Sequence, residues 1–300
     1  MPRDARSVKG PEVEGNPLTE AVDRETKTCC ATFYQSDLVH VLLGDVFHPG
    51  GLALTRHLGR RLRLGPDDHL LDVASGRGTS AVHLAERFGC SATGLDYGRE
   101  NVAAAERQAV ETGVASLTTF RQGDAEDLPF DDGTFDAVIS ECSFCTFPNK
   151  VTAAREMARV LAPGGRLGLT DVTLHGPVPD DVESLLAWVA CIGGAGTSQD
   201  YVATLRDAGF IHFIVEDHSD ALLDMVTDVR RRLLGIEVAL GLGKLDLGEL
   251  DLAEGKRLAR RAVELIEQGL VGYTLIAARK KAPPFVSSAA SHPFPGRGQT

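Results

Sequence analysis

The chain has 300 residues, 43% of them hydrophobic, and a formal net charge of −11 from 31 basic and 42 acidic side chains. That is enough material for a soluble globular protein with a sizeable core. An acidic balance without a basic stripe argues against nucleic acid as a partner.

Residues 1–26 are polar and rich in charge, Pro and Gly, and read as a disordered tail. They lack the apolar segment of a signal peptide, and no run in the chain is long enough to span a bilayer, so a cytoplasmic location with no membrane partner is expected. Residues 27–64 read as an N-terminal helical arm, one or two amphipathic helices broken at "HPGG" (48–51).

From residue 65 onward short apolar runs alternate with helical patterns, the signature of a parallel sheet wrapped by helices. Strands are predicted at 69–74, 91–97, 117–125, 135–142, 166–173, 210–218 and 272–280. The helix "KVTAAREMARVL" runs into "APGG", where Pro and two glycines stop it. Two long helical patterns, 219–239 and 251–269, exceed a simple connection and read as a helical insertion over 219–270 before the last strand. The main domain then comprises 65–218 and 271–280, and 281–300 reads as a second disordered tail. In such a sheet the working edge lies at the carboxyl ends of the strands.

"LLDVASGRGTSAVHLA" is a strand containing Asp72, a small-residue turn with Ala74, Gly76 and Gly78, then a helix. Glycines there let backbone approach a ligand, and the helix start offers N–H groups. The next strand ends in Asp96 and Tyr97, where an acid suits two ribose hydroxyls. The third ends in "GDAEDLPF", placing Asp124 and Ala125 where a carboxylate would accept from an adenine amino group. Together "DVASGRG", "GLDY", "GDAEDLPF", "FDAVIS" and "RVLAPGGRLGLTD" resemble the Rossmann-like methyltransferases that use S-adenosylmethionine. The resemblance implies an α/β, Rossmann-like, seven-stranded mostly parallel sheet with helices on both faces. It departs at Ala74, which stands at the first glycine of the turn. A dehydrogenase is disfavoured because no GxGxxG follows the first strand.

Six cysteines in a reducing compartment are expected as free thiols used for chemistry, metal binding or packing. In this family the methyl group emerges near the end of the fourth strand, which here is "ISEC", with Glu141 and Cys142. Glu141 would help hold the cationic end of the donor. "ECSFC", together with "ACIGGAG" before "YVATLRDAGF", resembles the arsenite methyltransferases. That resemblance implies trivalent arsenic held by Cys142, Cys191 and one of Cys29 or Cys30, with glutathione or thioredoxin delivering the metalloid as a thiol complex and keeping the thiols reduced.

The chemistry is consistent: arsenic is soft, thiolates are soft ligands, and a lone pair on As(S)3 attacks a sulfonium methyl without a general base. Catalysis then reduces to orientation. A cation beside Cys142 would favour its thiolate.

Two rivals stand: a methyltransferase of an organic O, N or C acceptor, and a non-catalytic thiol-rich metalloid-binding protein. Cys90 and Trp188 read as core residues, and Cys145 as a spare thiol or a redox partner of Cys142. A zinc site at Cys142 and Cys145 lacks a second ligand pair. His48 reads as structural, His218 as a solvent-exposed loop residue, and Tyr34 as a contact of the cofactor.

Overall fold

The computed structural model describes residues 27–28, 47–176, 194–241 and 252–282. The expected tail over 1–26, most of that over 281–300, and Cys29, Cys30, Tyr34, Trp188 and Cys191 lie outside these residues.

Helix α1 (Gly51–Arg61) starts where Pro49 and Gly50 break the chain, with Gly50 at φ 77°. Strand β1 (His69–Val73), helix α2 (Thr79–Phe88), strand β2 (Ser91–Asp96), helix α3 (Arg99–Glu111) and strand β3 (Thr118–Gln122) follow as alternating units. Strand β4 (Phe135–Glu141) leads through a 3-10 turn at Phe144–Thr146 to helix α4 (Lys150–Val160) and strand β5 (Leu161–Leu174). Helix α5 (Ser198–Asp207), strand β6 (Phe210–Asp217), helices α6 (Ser219–Gly241) and α7 (Leu252–Glu267) and strand β7 (Val271–Lys280) complete the order.

The seven strands form one sheet in the order β3-β2-β1-β4-β5-β7-β6. β1 to β5 pair in parallel, and β7 lies antiparallel between β5 and β6. The chain reverses its direction of winding between β1 and β4, so their carboxyl ends open a crevice at the switch point.

Two strand boundaries differ from the sequence reading by more than one residue. β3 stops at Gln122 because Asp124 makes a turn, its O accepting from Asp127 N (3.1 Å) and its Oδ1 from Glu126 N (2.9 Å), which leaves Asp124 and Ala125 in a loop. β5 begins at Leu161 because Leu161 still pairs with Phe135 before the register shifts to Ala137 with Arg166. The intervening "APGG", expected as a plain stop, forms an irregular part of that strand with Gly164 at φ 76°.

The sheet separates two apolar layers, and side chains alternate between them with the period of two that strands impose. On β7, Leu275 and Ala277 join the layer of α1, α2, α3 and α7, while Ile276 and Ala278 join that of α4 and α5. Leu58 of α1 lies against Gly168, where an added Cβ would come within 2.6 Å of Leu58 Cδ1, so a glycine on β5 lets α1 sit close to the sheet. The edge strand β6 is bulged at His212, φ 56°, between Ile211 and Ile214, a device that blunts an open edge.

Leu58 is fully buried. Leu58→Ala should lower the free energy of unfolding by roughly 2–5 kcal/mol, through lost transfer energy and a cavity. Val110→Ala on the exposed face of α3 should change it by less than about 0.5 kcal/mol. Denaturant melts of the two variants and wild type check the pair.

Candidate active site

The site begins at the turn between β1 and α2. Ala74, Gly76 and Gly78 all have positive φ, at 60°, 54° and 81°. Ala74 adopts this left-handed conformation at a cost of about 1–2 kcal/mol, which glycine would not incur. Gly78 has no alternative: a Cβ there would lie 2.6 Å from Ala105 Cβ and 2.7 Å from Phe120 Cε1. At Gly76 an added Cβ meets nothing within 4 Å. Ser75 N donates to Leu95 O (2.9 Å) and Gly76 N to Asp96 Oδ2 (2.8 Å), tying the turn to the end of β2.

This turn and the carboxyl ends of β1, β2 and β4 enclose a cavity of about 170 Å³. Asp72, Ala74, Gly76, Asp96, Tyr97, Asp124, Ala125, Glu141 and Cys142 all line it. Gly78 is the exception among the expected cofactor residues; it sits behind the wall as the N-cap of α2.

The cavity is dominated by buried carboxylates. Asp96 accepts from Gly76 N, from Gly98 N (2.8 Å) and from Asn101 Nδ2 (3.0 Å). Burial pushes its carboxyl above the ordinary range, and those three donors oppose the shift. Asp72 is pushed well above its ordinary value, first by burial and then by the negative charges of Glu141 and Asp96. Asp72 Oδ2 and Glu141 Oε1 are buried and have no hydrogen-bond partner among the described residues. Such atoms are costly unless a ligand satisfies them. Asp124 is already engaged: Lys27 Nζ donates to its Oδ2 (2.8 Å) and to Glu126 Oε2 (2.7 Å).

Cys142 follows β4 with φ 53°, and its N–H donates to Thr170 O (2.7 Å). Burial pushes its thiol far up, Asp171 and Glu141 push the same way, and a hydrogen bond from Tyr273 opposes them. Beneath it Tyr273 OH donates to Thr170 Oγ1 (2.9 Å), and Asp171 Oδ2 accepts from Cys145 N (2.8 Å). Cys145 is buried, its thiol pushed up by burial and by Asp171. Cys142 and Cys145 are free thiols, not a disulfide. Cys90 is a core residue, with a thiol pushed by burial up to about 11.

Several participants carry weak sequence signals. His48, expected to be structural, is buried and lines the cavity, its Nε2 3.2 Å from Thr55 Oγ1 and 3.7 Å from Glu141 Oε2. Thr55 Oγ1 in turn donates to Glu141 Oε2 (3.0 Å). His218, expected in solvent, is half-buried beside Glu216 and His57. Asp171 could have been noticed as a lone acid inside the apolar strand "RLGLTDVT".

Comparison with known proteins fits this geometry. A methyltransferase-domain family profile matches residues 71–169. An O-methyltransferase of Penicillium expansum, cnsE, is 32% identical over 266 residues, 82% of this chain and 89% of its own length. The chain belongs to the class I S-adenosylmethionine-dependent methyltransferases. Other relatives of this methyltransferase differ in their named substrates. A sarcosine/dimethylglycine N-methyltransferase of Halorhodospira halochloris is 35% identical over 57% of the chain, which spans 61% of that protein's length. An arsenite methyltransferase of Aquipseudomonas alcaligenes is 31% identical over 70% of the chain and 64% of its own length. Among solved structures, the [4+2]-cyclase SpnF superposes with a TM-score of 0.68 at 24% identity, covering 88% of this chain and 97% of its own; that likeness shows the fold alone.

S-adenosylmethionine carries an ammonium and a sulfonium, so it brings the positive charge that the orphaned oxygens of Asp72 and Glu141 lack. The donor set fits the cofactor.

Asp171 is fully buried and its carboxyl is raised to about 6, chiefly by burial, against hydrogen bonds from Cys145 and Val172. The folded state therefore holds a proton that the unfolded state has released, and stability falls as pH rises from about 4 to about 6. The loss amounts to roughly 3 kcal/mol. Asp171→Asn should flatten that part of the curve, as measured by denaturant midpoints from pH 4 to 7; parallel curves for the two proteins would contradict the assignment.

Proposed function

We propose that this methyltransferase alkylates trivalent arsenic, as arsenite or methylarsenite, held on its own cysteine sulfurs. The observation that carries the reading is Cys142, which follows β4 and lines the same cavity as Asp72 and Glu141. Two further facts support it. Lys27, which also lines the cavity, precedes Cys29 and Cys30 by two and three residues. Gly194, three residues after Cys191, packs against the carbonyl of Cys145.

Asp72 and Glu141 would hold the ammonium of the cofactor, and Asp96 the ribose hydroxyls. Ala74 and Gly76 would give the backbone its close approach, with Gly78 behind them letting the turn pack on Ala105 and Phe120, while Tyr97, Asp124 and Ala125 would border the adenine. Bound S-adenosylmethionine supplies an electrophilic methyl group. Cys142 needs no base of its own: as its sulfur bonds to arsenic, its proton leaves with the thiol or water displaced from the incoming complex. A thiol kept neutral by burial is thus stable at rest and becomes a thiolate only when arsenic takes the charge. Cys142, Cys191 and one of Cys29 or Cys30 would orient the arsenic lone pair.

Reduced glutathione or thioredoxin would deliver the metalloid in a reducing, cytoplasmic setting. No described helix is long and apolar enough to cross a membrane.

A second reading, an organic hydroxyl as acceptor, is favoured by His48, a buried imidazole on the cavity wall that could take the acceptor's proton. The O-methyltransferase relative matches over most of both chains and supports it too. Transfer of a labelled methyl group to arsenite separates the two readings. Cys142→Ser and Cys191→Ser should each abolish transfer to arsenite with cofactor affinity retained, and full activity in both would sink the thiol site. Asp96→Ala should weaken cofactor binding by roughly 10–100-fold, the loss of hydrogen bonds to a charged acceptor, read by calorimetry.

A further inference from the structure

We infer that His57, Glu216 and His218 form a binding site for one borderline divalent transition-metal ion, zinc above all, between α1 and the edge strand β6. The three donors come from two rigid elements. His57 lies on α1, which Leu54, Leu58 and Leu62 anchor in the core. Glu216 lies on β6, opposite Leu275 of β7, and His218 follows that strand, its backbone N–H donating to Tyr273 O (2.8 Å). The donors are therefore held by the fold before any ion arrives.

His57 Nε2 is 2.7 Å and His218 Nε2 3.3 Å from the same atom, Glu216 Oε2, and all three ligand atoms lie within 4.8 Å of one another. A tetrahedral ion with bonds of about 2.0–2.1 Å separates its ligands by roughly 3.3 Å, so small side-chain shifts close the shell. Two imidazoles and a carboxylate are the donors of an open zinc site, with water in the fourth place. They suit nickel, cobalt and copper as well, and suit magnesium or calcium poorly. Side-chain exposures of 32%, 19% and 26% leave the cluster reachable from solvent.

An ion-pair cluster is the competing explanation. Arg61 Nε lies 2.6 Å from Glu216 Oε1 and already balances its charge. Two further nitrogens converging on the other oxygen exceed what one carboxylate needs. Arg61 meets Oε1 as a charge, with no hydrogen bond to that atom among the described residues, so Oε2 is the oxygen to which both imidazoles turn. The bound ion would fasten α1 to the edge strand β6 and to the start of α6, away from the cofactor cavity.

The test uses the full chain stripped with a chelator. Wild type should take up one zinc ion per chain that raises its thermal midpoint. Cobalt substituted for zinc should give visible d–d bands without the near-ultraviolet charge transfer that thiolate ligands produce. His57→Gln and His218→Gln should each weaken uptake by roughly 100-fold or more, with the metal-free thermal midpoint close to wild type, which separates a lost ligand from a lost fold. Glu216→Gln should weaken it too. Equal uptake by wild type and both glutamine variants, or a spectrum dominated by thiolate charge transfer, would overturn the site.

Discussion

The crowding of carboxyl groups in a buried crevice is the constraint around which the rest of this structure is arranged. Asp72, Asp96 and Glu141 stand at the carboxyl ends of β1, β2 and β4, and all three are buried or nearly so. Removing such groups from water costs several kcal/mol each unless partners replace the hydration. Asp96 has three protein donors, whereas Asp72 and Glu141 each keep one buried oxygen without a partner among the described residues. The strand order creates that arrangement, since β1 lies between β2 and β4 and the chain changes winding direction there. A ligand carrying positive charge relieves the strain, and the cofactor of this family is such a ligand.

Behind the crevice a second layer of polar groups supports the loop that follows β4. Tyr273 of β7 bonds to Thr170 of β5, and Thr170 and Asp171 accept from the backbone of Cys142 and Cys145 in that loop. Low dielectric makes these bonds strong and makes both thiols hard to ionise. The consequence is a pair of thiols kept neutral beside the cavity. While they stay protonated, such thiols resist attack by ordinary electrophiles.

Much of this was legible in the sequence. Short apolar runs between helical patterns located all seven strands, and "DVASGRG" and "GLDY" marked the glycine turn and Asp96, because those signals are local. What escaped was non-local. His57 and Glu216 lie 159 positions apart, Tyr273 and Thr170 103, and Lys27 and Asp124 97. No periodicity announces such pairs; they exist only once the sheet has brought distant segments together. Asp124 shows the same limit: its neighbourhood was foreseen, but the lysine that occupies its carboxylate was not. Ala74 was read as a slight departure from a glycine, and the structure shows the backbone strain that this alanine carries.

The most direct test of the charge constraint is a calorimetric titration of the protein with S-adenosylmethionine at pH 7, in two buffers of different ionisation enthalpy, for wild type and Asp72→Asn. If the cofactor's positive charge replaces a proton on Asp72, wild type releases protons on binding, and the variant releases fewer and binds more weakly. Equal proton release and equal affinity in the two proteins would show that the carboxylate does not await a cation, and the account of the site would fall with it.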